Sequence, residues 1–223
     1  MSDDFLQIEY YPLSFEHEEM KQRSQEFYNM MDRRRTVRKF KSEKFDKSIL
    51  ENAIKAASTA PSGAHKQPWS FCIVTNVELK HKIRQLAEEE EHENYHGRMS
   101  DEWLEDLRPF GTDHVKEFLD IAPYLVIIFK KAYDLTEDGK RKNNYYVNES
   151  VGIATGFFLA AIQNAGLASL THTPSPMNFL EKALDRPPNE RAYLIVPVGY
   201  PEDGVKVPDI KRKSLEKILD SYD

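Results

Sequence analysis

Basic side chains crowd two places in an acidic chain. DRRRTVRKF, residues 32–40, and KRK, residues 211–213, lie far apart in a sequence whose formal charge is −6. Guanidinium groups bind phosphate oxygens in bidentate fashion. Brought together, with the Thr36 hydroxyl added, the two clusters make an anion site; left apart, each is a solvated charged face. The acidic balance removes the electrostatic basis for broad affinity to nucleic acid or anionic membranes, but leaves room for a small basic pocket.

A second concentration of chemistry is HENYH, residues 92–96, which matches H-E-x-x-H. A zinc protease needs those two histidines, the glutamate as base and a third ligand. Here the flanks EEEE and GRMSDE are polar and no third-ligand pattern follows, so the motif reads as a solvated acidic helix with two exposed histidines and no metal. In the same run Glu91 and Tyr95 are four apart and share a helix face. A carboxylate beside a phenol suits the ammonium and carboxylate of an amino acid, and the same spacing suits an ordinary helix surface. The glycine-rich dinucleotide and P-loop signatures are missing, as is G-x-S-x-G. Cys72, inside the apolar WSFCIV, reads as a small buried side chain; as the single cysteine it allows no internal disulfide, which fits a reducing, cytoplasmic setting.

The elements that must position these groups follow from periodicity. Residues 14–32 read as a helix leading to the arginines. Residues 46–60 carry apolar side chains at helical spacing behind Asp46, an N-cap, and PSG then breaks the helix. WSFCIVTN (69–76), YLVIIFKK (124–131), ASLTHT (168–173) and AYLIVPVGY (192–200) read as strands, the second buried throughout. Residues 77–107 read as helical with a break at Gly97, 136–144 as a loop, and 146–165 as a long helix ending near Gly166. Strands that do not alternate regularly with helices predict an α+β, three-layer fold in one domain spanning 1–223. The stretch VGIATGFFLAAI, 151–162, is too short to span a bilayer and apolar on all sides, so it needs cover all round, which a second copy supplies in a homodimer. The N-terminus lacks the basic start and apolar run of a signal peptide.

Taken in order, RRTVRKF, APSGAHKQPWSF, EEEEHENY, THTP and PVGYP resemble the FMN-dependent nitroreductase superfamily from about residue 30 onward. The acidic segment, with DIAPYLVIIFK and VPDIKRK, makes the resemblance narrower, to the iodotyrosine deiodinase family in a soluble form. That resemblance implies a mixed sheet flanked by helices, an intertwined homodimer, an N-terminal extension over 1–30 and a substrate lid over 88–116. It implies FMN held by Arg34, Arg35, Thr36, Val37, Arg38, Ser62, Gly63, Leu170, Thr171, His172, Thr173 and Arg212, with Arg38 at the N1/O2 edge and the Thr173 hydroxyl, the catalytic group, at N5. It implies a halotyrosine whose ammonium meets Glu91, whose carboxylate meets Tyr95 and Lys116, and whose phenolate oxygen meets the Ala64 N–H. The reaction implied is reductive dehalogenation of mono- and diiodotyrosine to tyrosine and iodide, with electrons delivered one at a time and supplied by an outside donor or reductase. The alternative is a general nitroreductase or quinone reductase using NAD(P)H. His172 departs from the threonine of the vertebrate members.

Overall fold

Strand β2 (Tyr124–Lys131) sends successive side chains into two different cores. Tyr124, Val126 and Ile128 pack with Leu50, Ala53, Ala57, Val151, Ala154, Phe158 and Ile162. Leu125, Ile127 and Phe129 pack with Ile83, Ala87, Phe118, Leu119 and Leu180. A strand alternates its side chains across the sheet, so a run apolar at every position is stable only with helices on both faces. That requirement produces the three layers. The computed structural model describes residues 7–222.

The chain divides into two compact units, Met1–Arg34 and Arg35–Asp223. In the first, helix α1 (His17–Asp32) has no buried residue and is held by surface contacts, among them Arg23 with Glu19 and with the ring of Phe15. In the second, α2 (Lys47–Ser58) starts where Asp46 accepts from the Ser48 N–H. Strand β1 (Trp69–Val74) follows. Helix α3 (Val77–Glu93) begins at Asn76, which caps Leu79 N, and a π-turn over Asn94–Arg98 separates it from α4 (Asp101–Leu107). This π-turn contains Gly97, the break expected from the sequence. The short α5 (Phe118–Ile121) leads into β2, and the buried Lys80 ammonium donates to the carbonyls of Asp120 (2.7 Å) and Ala122 (2.6 Å) where α5 ends.

Strands β3 (Tyr133–Leu135) and β4 (Arg141–Asn143) form a hairpin. The expected loop over 136–144 is therefore partly strand; RKN is polar and gives no alternation to detect, while the turn itself lies at Thr136–Gly139. Helix α6 (Val147–Asn164) ends before Gly166, whose φ of +76° suits glycine. The expected strand over 168–173 pairs only as β5 (Ala168–Ser169), after which His172 alone bridges to Ile195. Helix α7 (Asn178–Ala183) and strand β6 (Glu190–Gly199) complete the set.

Among the described residues the main sheet runs β1-β2-β6-β5, all antiparallel. Its mixed character comes from one parallel bridge, Thr36 to Ser169. Helix α6 is buried along Val151, Ala154, Thr155, Phe158 and Ile162, yet Ile153 and Phe157 stay about two-fifths exposed (41% and 43%). The chain thus covers three sides of its most apolar helix and leaves one stripe open.

Phe158 is fully buried between α6 and the sheet. Phe158→Ala is expected to lower the free energy of unfolding by roughly 3–5 kcal/mol, measured by urea denaturation; a loss below about 1 kcal/mol would show that this contact does not hold the layer.

Candidate functional site

Four stretches of the second unit supply most of the residues singled out in the sequence; Arg34 and Arg212 lie outside them. The first, 35–41, lies along the sheet: Val37 N donates to Ser169 O at 3.3 Å and Lys41 N to Tyr200 O at 2.9 Å. Val37 and Phe40 are buried and Arg38 is half-buried between them, while Lys39 stays exposed. Burial pulls the Arg38 guanidinium below its ordinary value, and the nearby Tyr95 opposes that shift. Arg35 donates to the Pro208 carbonyl, fastening VPDIKRK beside RTVR. The two basic clusters are thus linked, and Arg35 has a structural task of its own. Arg212 lies exposed four residues beyond Pro208. Arg34 closes the first unit, its N–H bonded to Met31 O at 3.0 Å.

The second stretch, 62–67, is conformationally unusual. Ala64 (φ +50°), His65 (φ +53°) and Gln67 (φ +47°) all occupy the left-handed region, which costs L residues energy and persists where a site requires it. The Ser62 hydroxyl accepts from Gln67 N at 2.9 Å, and Gly63 N reaches the Ser150 hydroxyl at 3.4 Å. A Cβ on Gly63 would lie 2.9 Å from both Tyr145 O and Tyr146 Cδ2, so the position admits only glycine without rearrangement.

The third stretch, Leu170–Thr173, alternates. Leu170 and His172 are buried, while Thr171 and Thr173 are exposed and share the other side of the extended backbone. His172 exchanges both backbone hydrogen bonds with Ile195 (2.9 Å each), stands edge-on to Phe118, and leaves its Nε2 buried without a partner among the described residues. Desolvation, reinforced by the cations Lys116 and Arg38, lowers its pKa to about 3. The ring is neutral at any ordinary pH.

The fourth stretch joins α3, its π-turn and the loop before α5. Glu91 and Lys116 are almost fully buried, with Lys116 Nζ 3.3 Å from Glu91 Oε2. That ammonium also donates to Asp113 O and, at 3.3 Å, to the Thr112 hydroxyl; it sits 5.4 Å from the centre of the Tyr95 ring. The Tyr95 hydroxyl donates to Thr112 O at 3.2 Å. Burial raises the Glu91 carboxyl, with Lys116 opposing, and lowers the Lys116 ammonium, with Glu91 opposing. Each partner offsets part of the burial penalty on the other. The structure therefore brings Glu91, Tyr95 and Lys116 together, 21 residues separating the last two. Sequence reasoning missed Thr112, whose two oxygens serve both Tyr95 and Lys116. Asn94 Nδ2 donates to Ser175 O at 2.9 Å, tying the π-turn to the segment after Thr173.

The histidines of the H-E-x-x-H motif pack against one another. His92 and His96 stack at 4.1 Å between ring centres, His114 stands edge-on to both, and His96 Nδ1 pairs with His92 O at 2.8 Å. Among the described residues no group of three or more His, Cys, Asp or Glu is arranged to hold a metal ion. Nor is any described helix long and apolar enough to cross a membrane.

Comparison with known proteins gives consistent results. The Nitroreductase family profile matches residues 31–200. An iodotyrosine deiodinase from Haliscomenobacter hydrossis is 59% identical over 215 residues, spanning 96% of this chain and 97% of that protein. The human iodotyrosine deiodinase 1 is 45% identical over 216 residues, spanning 95% of this chain and 75% of that protein. The crystal structure of an oxidized iodotyrosine deiodinase bound to FMN and 3-iodo-L-tyrosine superimposes with a TM-score of 0.75 at 34% identity, covering 88% of this chain and 98% of that one.

The state of His172 makes a pH prediction. Its folded pKa, about 3, lies below the ordinary 6.5, so the unfolded chain takes up the proton first as pH falls. The stability contribution is complete above 6.5 and is lost progressively toward 3. His172→Gln, which cannot titrate, is expected to show a shallower fall of Tm than the parent between these limits; parallel profiles would contradict a buried neutral imidazole.

Proposed function

We propose, from the premise that this chain belongs to the nitroreductase family, that it is an FMN-dependent reductive dehalogenase of halogenated tyrosines. The observation that carries this reading is the buried Glu91–Lys116 pair with Tyr95 beside it. Two charges removed from water cost several kcal/mol each, and their attraction offsets this only when their surroundings complete the pairing. A zwitterionic amino-acid head group completes it. Its ammonium faces Glu91 and its carboxylate faces Lys116 and the Tyr95 hydroxyl. A general nitroreductase or quinone reductase has no use for such a clamp.

The residues present suit FMN. Arg38 places a half-buried cation next to Tyr95, and the outward Thr171 and Thr173 offer hydroxyls along one line. Arg35 brings the tail bearing Arg212 toward the same stretch, where phosphate oxygens take guanidinium donors. Thr36 and Val37 are registered against Ser169, one residue before Leu170. Gly63 and Ser62 hold the left-handed Ala64, whose N–H is assigned to the substrate phenolate. When bound, reduced FMN supplies the two electrons that, with one proton, convert a carbon–iodine bond into carbon–hydrogen and iodide.

Within that chemistry the chain's own groups have separate tasks. Glu91, Tyr95 and Lys116 orient the amino acid, and Ala64 fixes the phenolate oxygen. Arg38 favours negative charge on the neighbouring ring edge. Thr173 holds a hydrogen bond at the flavin N5. Residues 88–116 act as the lid that excludes water, with Asn94 fastening it to Ser175. Two copies assemble as an intertwined homodimer, a reading supported by the uncovered Ile153 and Phe157 on α6. The N-terminal stretch over 1–30 is an extension to the catalytic unit. The electron donor lies outside the chain, NAD(P)H or a reductase linked to it, in a cytoplasmic setting.

Purified protein loaded with FMN and reduced without oxygen is expected to reoxidise on adding 3-iodotyrosine, releasing iodide. Protein that takes up no FMN, or that reduces nitroaromatics while ignoring iodotyrosine, would sink the reading. Glu91→Gln is expected to weaken 3-iodotyrosine binding about ten-fold or more and leave FMN affinity intact, read by fluorescence titration of each ligand. Thr173→Ala is expected to lower kcat with little change in KM, and Thr173→Ser to restore it; equal rates for all three would remove Thr173 from the reaction.

A further inference from the structure

We infer that Glu88 is a positioning residue for substrate recognition: it anchors the main chain of Lys116 so that the Lys116 ammonium meets Glu91 and the amino-acid head group. The inference rests on the functional reading above and names the residue that sets its geometry. Arg84, Glu88, Glu91 and Tyr95 fall at i, i+4, i+7 and i+11, a single stripe along α3 and into its π-turn. Glu88 Oε1 accepts from Lys116 N at 2.6 Å and from Arg84 Nε at 2.7 Å. Arg84 Nη1 in turn donates to Asp120 Oδ2 at 2.9 Å, which also receives His81 Nδ1 at 3.1 Å.

Lys116 is therefore gripped twice by carboxylates one helical turn apart, at its backbone N–H by Glu88 and at its ammonium by Glu91. A lysine side chain has four rotatable bonds, so fixing its ammonium in a buried site costs conformational entropy, and anchoring the main chain reduces the arc it must search. Two carboxylates so close would compete for one ammonium. Arg84 removes the competition, because its guanidinium occupies Glu88 and leaves the Lys116 charge to Glu91. Asp120, on α5, holds Arg84 from the far side, so the chain is fixed to α3 at Lys116 and again four residues later.

The test compares Glu88→Ala with Glu88→Gln, using FMN, 3-iodotyrosine and 2-iodophenol, which has the halogen and phenol without the zwitterion. Glu88→Ala is expected to raise the Kd for 3-iodotyrosine about ten-fold or more. FMN affinity should stay close to wild type, the loss for 2-iodophenol should be much smaller than for 3-iodotyrosine, and backbone hydrogen exchange at Lys116 should quicken. Glu88→Gln keeps the acceptor oxygen and is expected to restore most of the affinity. An unchanged Kd in Glu88→Ala overturns the inference while leaving the functional reading standing. So does an equal loss for all three ligands, which would mark Glu88 as general scaffold. Wild-type protein that binds FMN but no 3-iodotyrosine overturns the functional reading and this inference with it.

Discussion

Strand β2 is apolar at every one of its first six positions, and the rest of the molecule answers that one constraint. Its two faces must both be covered. One face takes α2 and α6; the other takes α3, α5 and α7. The second choice decides where chemistry sits. Ile83 and Ala87 root α3 in the core beneath Leu125, Ile127 and Phe129, while Phe118 and Leu119 root the segment just after Lys116. The buried ion pair is thus built between two elements that share one apolar floor.

That floor explains how an ion pair survives with side-chain exposures of only 4% and 8%. The Lys116 ammonium is not left to Glu91 alone. Asp113 and Thr112 receive donors from Lys116, and Thr112 also receives Tyr95. Farther along the same helix, Lys80 spends its ammonium on two carbonyls of α5. The polar groups on this side of the sheet mostly satisfy one another across the α3–α5 boundary. The Nε2 of His172 and the Oδ1 of Asp120 are exceptions, each buried without a partner among the described residues.

Much of this was legible in the sequence, for identifiable reasons. YLVIIFKK announced a doubly covered strand because no residue in its core was polar, and Asp46 announced α2 by its cap. The Glu91–Tyr95 pair was visible as helical spacing, but spacing alone left it level with an ordinary surface; Lys116 entered only through family resemblance. What stayed hidden depended on contacts across long stretches of chain. The Glu88–Lys116 bond spans 28 residues, and nothing local marks Glu88 off from the three glutamates that follow it. The β3–β4 hairpin was missed because its second strand, RKN, is wholly polar and takes its shape from pairing with Tyr133–Leu135. ASLTHT had strand composition throughout, yet ladder pairing stops at Ser169 and Thr171 and Thr173 turn outward. Local propensity could not foresee that end, because it is set by where β6 offers partners.

Gly63 carries a consequence of an evolutionary kind. One of the two nearest obstacles to a side chain there is the Tyr145 carbonyl, a main-chain atom with no rotamer to escape into. A Cβ there requires the Gly63 loop or the turn at Tyr145 and Tyr146, just before α6, to shift. A side chain at position 63 is accommodated most easily when the turn at Tyr145 and Tyr146 changes with it, which couples two segments far apart in sequence.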